Sequence, residues 1–145
     1  MQTLTDQNLM AQWSRDRNAD AFAEIVSRHG GMVFATCRRI LGSPQDAEDV
    51  TQECFLHLVR SPHCDIRSLG AWLHQLAVRR SLHRMRQAPR RMARESRYAG
   101  ARADQQDVTG DSWRHVEPVI DEAIAGLPDL SRHLLVGHFL EGRSY

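Results

Sequence analysis

Lysine is missing from this sequence: all 19 of its basic residues are arginines. That pattern reads as a coding bias, but it also leaves only guanidinium groups to meet anions, and these suit bidentate contact with phosphate. Cysteine is scarce. Cys37, Cys54 and Cys64 are an odd number in a chain without a secretory start, which excludes a disulfide framework and predicts reduced, buried thiols. The opening Met1-Gln2-Thr3-Leu4-Thr5-Asp6 has neither the basic start nor the apolar run of a signal peptide. No stretch approaches the roughly 18 apolar residues of a membrane span. A cytoplasmic location without membrane contact is therefore expected. Cys54, His57, His63 and Cys64 lie near one another, yet their spacing matches no common zinc pairing and Cys54 falls on a packing stripe. Neither a metal nor a cofactor is expected.

What remains is ordinary globular composition, with 41% hydrophobic and 26% charged residues over 145 positions. This is enough for one compact domain with an appendage, or for two small domains. The net charge of +1 conceals a strong segregation. Nine arginines fall between positions 79 and 102, where Glu95 is the only acid, so that segment carries about +8. From Asp104 to Asp129 seven acids face Arg114 alone. Blocks of this kind mark interaction surfaces.

Apolar residues recur at three- and four-residue steps, which predicts an all-α fold. A first helix is expected over Asp6 to Arg15, with Leu4, Leu9, Met10 and Trp13 on its apolar side. A second should run from after Asn18 to Leu41; Gly30-Gly31 interrupts its pattern and leaves open either one continuous helix or a kink or local break, since adjacent glycines each cost roughly 1 kcal/mol in a helix. Ser61 to Asp65 reads as a loop. Ser68 can cap a helix over Leu69 to Gln87 whose first half is apolar, through Leu69, Trp72, Leu73, Leu76 and Ala77, and whose second half is basic. Periodicity disappears from Gln87 to Ser112, a linker composition. It returns in a helix over Trp113 to Ala125, with Val116, Val119, Ile120, Ala123, Ile124 and Leu127 as the apolar set. Another helix opens at Asp129 or Ser131.

The most informative stretch is Asp46-Ala47-Glu48-Asp49-Val50-Thr51-Gln52-Glu53-Cys54-Phe55-Leu56. Gly42-Ser43-Pro44 breaks what precedes it, and acids crowd the first turns, where the helix dipole favours negative charge. At about 100° per residue, Ala47, Val50, Cys54 and Leu58 share one stripe while Asp49, Gln52, Glu53 and Leu56 gather opposite. A solvated face has no need of Leu56. Acid, amide and aliphatic groups together suit a partner that offers basic side chains around a small apolar contact.

This stretch resembles the region 2.2 helix of extracytoplasmic-function (ECF) sigma factors, usually D-A-E-D-x-x-Q-E-x-F-L. Ala71-Trp72-Leu73, Leu76-Ala77 and Arg79 look like the A-W-L-x-x-x-A-x-R signature of regions 2.3 and 2.4. Ile120-Asp121-Glu122-Ala123-Ile124-Ala125-Gly126-Leu127-Pro128, then Leu140-Glu141-Gly142 and Ser144-Tyr145, are similar to the opening of region 4. The resemblance implies a sigma region 2 bundle over 1–88, a linker over 89–112 and the N-terminal part of region 4 over 113–145, without its helix-turn-helix. Two helices and a turn cannot close a core alone, so residues 113–145 should dock on the first domain or be loosely ordered.

The same resemblance implies the function of a sigma factor. Asp46, Asp49, Gln52, Glu53 and Leu56 would bind core RNA polymerase at its beta-prime clamp helices, and Arg79, Arg80, Arg84 and Arg86 would bind promoter DNA near the minus-ten element. An anti-sigma factor is a further partner that the resemblance suggests. No catalytic residue is implied. The alternative is a non-initiating decoy that binds core polymerase or an anti-sigma factor.

Overall fold

The computed structural model describes residues 3–61, 67–87 and 108–143, and every regular element among them is helical. In chain order these are α1 (Asp6–Asp16), α2 (Ala19–Leu41), α3 (Pro44–Arg60), α4 (Leu69–Gln87), α5 (Val108–Ala125) and α6 (Asp129–Leu135), the last running into a π-helical turn over Val136–Leu140. The starts follow local chemistry. Thr5 accepts a hydrogen bond from the Asn8 amide, Asn18 from those of Asp20 and Ala21, and Ser43 from that of Asp46 ahead of Pro44. At the end of α2, Gly42 takes φ 76° and its N–H bonds the Arg38 carbonyl at 2.9 Å, a left-handed cap that glycine adopts at little cost.

Helices α2, α3 and α4 pack around one another, with α1 laid across α2. The predicted stripe of α3 is the centre of this bundle: Ala47, Val50, Cys54 and Leu58 are all fully buried. They meet Ile25, Val33 and Cys37 from α2 and Leu73 and Ala77 from α4, while Leu9 and Met10 close the end beneath α1. Trp13 sits against Phe22 with ring centroids 4.9 Å apart.

One open alternative is decided and two expectations are corrected. Helix α2 runs unbroken through Gly30 and Gly31. His29, Met32 and Val33 are buried on either side of the pair, so tertiary packing holds a geometry that propensity alone disfavours. Helix α5 begins at Val108, five residues before Trp113 and inside the span read as linker. Its polar first turn carries no apolar period by which a sequence could announce it. Third, only part of the apolar set of α5 lies on its packing face, through the half-buried Ile124 and Leu127. Val116, Val119 and Ile120 are exposed, and Asp121 is the buried residue. The C-terminal elements dock on α2 and α4, the first of the two arrangements expected for them. Most of the expected linker, over 88–107, lies outside the described residues, as does the loop over 62–66.

Candidate functional site

Two surfaces carry the chemistry read from the sequence, and both follow from the phase of α3 and α4. Because Ala47, Val50, Cys54 and Leu58 point into the core, Asp49, Gln52, Glu53 and Leu56 must point out. They do, and Leu56 is 51% exposed. Asp46, one turn earlier, is half-buried. All five predicted residues therefore share the outer side of α3.

Helix α4 divides the four predicted arginines into two pairs. The Arg84 guanidinium reaches across to α3, with Nη2 3.1 Å from Asp46 Oδ1 and 3.2 Å from Asp49 Oδ2, and Nη1 3.8 Å from Glu53 Oε1. Arg80 lies 3.6 Å from the other Glu53 oxygen and donates to His57 Nδ1 at 3.2 Å. These side chains join the acidic face instead of standing beside Arg79 and Arg86. The latter two are exposed and form no ion pair among the described residues. Seven residues is close to two helical turns, so Trp72, Arg79 and Arg86 form one stripe along α4. Trp72 is partly buried and stacks on the His57 ring at 5.8 Å. Its indole both packs and lines the surface.

The ion pairs around Arg84 are half-exposed, and pairs of that kind stabilise by roughly 0 to 1 kcal/mol. Their main effect is on the field. Three carboxylates at one helix face, spaced three, four and seven residues apart, repel one another, and Arg84 sits among them. A partner approaching α3 meets carboxylates already partly neutralised, together with Gln52 and Leu56.

Two further polar clusters escaped the sequence reading. In one, Arg39 donates from Nε and Nη2 to both oxygens of Asp121, at 2.8 and 3.0 Å, and His74 Nε2 donates to Oδ1 at 3.0 Å. Burial alone would raise the Asp121 carboxyl, but the hydrogen bonds from His74 and Arg39 hold it below its ordinary range. In the other, the fully buried His29 bridges Asp6, 2.9 Å from Nε2, and Glu141, bonded to Nδ1. Burial pushes His29 down, yet the hydrogen bonds to Asp6 and Glu141 and their charges overturn this and raise it to about 9. Asp6 answers from the other side. Burial pushes it up, the His29 bond and charge pull it down, and it settles at about 2.

No group of side chains able to hold a metal occurs among the described residues. Cys54 is buried and His57 is engaged with Arg80 and Trp72, while His63 and Cys64 lie outside those residues. No helix of the described residues is long and apolar enough to cross a membrane.

Comparison with known proteins gives these surfaces a context. Residues 25–91 match the family Sigma-70 region 2. The ECF RNA polymerase sigma factor SigK of Mycobacterium sp. (strain KMS) is 32% identical over 148 residues, covering 97% of this chain and 76% of that protein. SigW of Bacillus subtilis (strain 168) is 36% identical over 69 residues, covering 46% of this chain and 37% of that protein. SigE of Mycolicibacterium smegmatis is 30% identical over 86 residues, covering 59% of this chain and 30% of that protein.

Proposed function

This chain belongs to the ECF sigma factors of the sigma-70 family, and from that premise we propose that the outer side of α3 docks on core RNA polymerase while the Trp72, Arg79 and Arg86 stripe of α4 meets promoter DNA. The family acts in transcription initiation, and these two contacts are the ones that role requires of region 2. The observation that carries the reading is the exposure of Gln52 and Leu56 beside Asp49 and Glu53 on a helix whose other side is fully buried. An aliphatic group ringed by acid and amide groups fits a small dry contact with charge-assisted hydrogen bonds at its edge. The beta-prime clamp helices are the surface that this face would engage.

On α4, Arg79 and Arg86 are available to phosphates, and Trp72 offers a ring against which an unpaired base can stack. Arg80 and Arg84 act with the polymerase face, as the counter-charges of its carboxylates. In domain terms, region 2 spans residues 1–88, residues 89–112 connect, and residues 113–145 correspond to the start of region 4. The helix α5 reaches back into the connecting span by five residues.

The test is the affinity for core polymerase of the wild-type chain and of the Gln52→Ala, Glu53→Arg double variant, at two salt concentrations. Loss of one desolvated contact and insertion of a like charge should weaken binding by about 2 to 5 kcal/mol, more at low salt. Equal binding by a folded variant would remove α3 as the dock.

A further inference from the structure

On the stripe assigned above to DNA, Trp72 is the member whose use depends on its angle. A guanidinium meets a phosphate from many directions, but a base stacks on a ring only when the two planes align. Trp72 is partly buried and packs against the core, and its indole N–H makes no hydrogen bond among the described residues. The plane of the ring is therefore set by what lies beside it.

That neighbour is His57, from α3. Its ring lies 5.8 Å from the indole, centroid to centroid, with 21° between the planes, an offset stack. His57 is itself held. Arginine only donates, so the 3.2 Å contact from Arg80 Nη2 makes Nδ1 the accepting nitrogen. Turning the imidazole over would put a carbon in that place and lose the bond. Arg80 is fixed in turn, since its Nη1 stands 3.6 Å from Glu53 Oε2. Glu53 and His57 are four residues apart on α3, so one guanidinium spans both ends of a turn. The contacts assigned above to polymerase and to phosphates make no use of His57.

We propose that His57 is a positioning residue for base stacking. Clamped by Arg80, it sets the plane of the Trp72 indole in the free chain, so that an unpaired base meets a ring already in place. The proposal rests on the reading of Trp72 as that base's platform. A side chain ordered before binding loses less freedom on binding, which raises affinity without any new contact to DNA. His57 and Arg80 then act on DNA affinity through Trp72 and leave the number of phosphate contacts as it is.

The test uses the full chain, with folding checked by circular dichroism. Two quantities are read: the fluorine NMR spectrum of chain carrying 5-fluorotryptophan, and affinity for a short single-stranded deoxyoligonucleotide of mixed sequence at several salt concentrations. Trp72→Leu identifies the Trp72 resonance and should weaken binding by at least about fivefold. His57→Ala and Arg80→Ala should each shift or broaden that resonance and weaken binding by about two- to tenfold, with the slope of log affinity against log salt unchanged. In a Trp72→Leu background, His57→Ala should have no further effect. An unmoved resonance or an unchanged DNA affinity in either folded variant overturns the positioning role, and so does an equal loss in the Trp72→Leu background. A slope lowered by about 0.7 in Arg80→Ala makes that arginine a phosphate contact and overturns the clamp. Should His57→Ala unfold the chain, Arg80→Ala carries the same test from a half-exposed site. Unchanged binding by folded Trp72→Leu is a different failure: it removes Trp72 as the platform, the reading on which the proposal stands.

Discussion

His29 makes a measurable claim about pH. Its side chain is fully buried between Asp6 and Glu141, with Arg28 and Arg143 on the same carboxylates, and it is raised to about 9 from an ordinary value of 6.5. A histidine whose folded value lies above its unfolded one stabilises the fold fully below 6.5 and loses that contribution as pH climbs through 9. Between those limits the folded chain holds one more proton than the unfolded chain, so stability falls by about 1.4 kcal/mol per pH unit, or about 3 kcal/mol in all. The depressed Asp6 is the same interaction seen from its partner, and it is not added. The assay is urea denaturation of wild type and His29→Gln at intervals from pH 6.5 to 9. Taking the difference between the two proteins cancels groups common to both. The wild-type advantage should shrink by about 3 kcal/mol across the window. A difference that stays flat would refute the reasoning, because it would mean that His29 carries no extra proton in the fold.

Three other outcomes are expected. Leu58→Ala, at a fully buried position on α3, should cost about 2 to 5 kcal/mol in chemical denaturation, since the surrounding helices cannot collapse into the space. Arg79→Ala should weaken binding to single-stranded DNA and lower the slope of log affinity against log salt by about 0.7, the release expected for one phosphate contact. Arg84→Ala should leave that slope unchanged and alter stability by less than about 1 kcal/mol.

Much of the bundle was legible in the sequence because its signals are local. Ser43-Pro44 starts α3, Asn18 caps α2 and Gly42 ends it, and the spacing of Ala47, Val50, Cys54 and Leu58 sets the phase that turns Gln52, Glu53 and Leu56 outward. What could not be read depends on partners far along the chain. Asp121 sits 82 residues from Arg39 and 47 from His74, and only their meeting turns Val116, Val119 and Ile120 away from the bundle. A local apolar period gave a face that overlaps the packing one only at Ile124 and Leu127. Arg80 and Arg84 looked equivalent to Arg79 and Arg86 for a similar reason: composition counts guanidinium groups, while the helix phase relative to α3 decides which of them meet carboxylates. Local propensity left the continuity of α2 through Gly30-Gly31 open, since the burial of His29, Met32 and Val33 that secures it is tertiary.

The counter-charges on α3 also bear on discrimination. Asp46, Asp49 and Glu53 alone would attract any polycation, from a polyamine to an unrelated basic protein, at distances up to the screening length. With Arg80 and Arg84 folded over them, the long-range field of that face is largely spent within the molecule. A visitor that brings only positive charge must displace an arginine to gain a carboxylate, and the exchange returns almost nothing. A partner gains when it also packs against Leu56 and pairs with Gln52, both exposed and neither bonded to another of the described residues. The face is thereby deaf to charge at a distance and selective on contact.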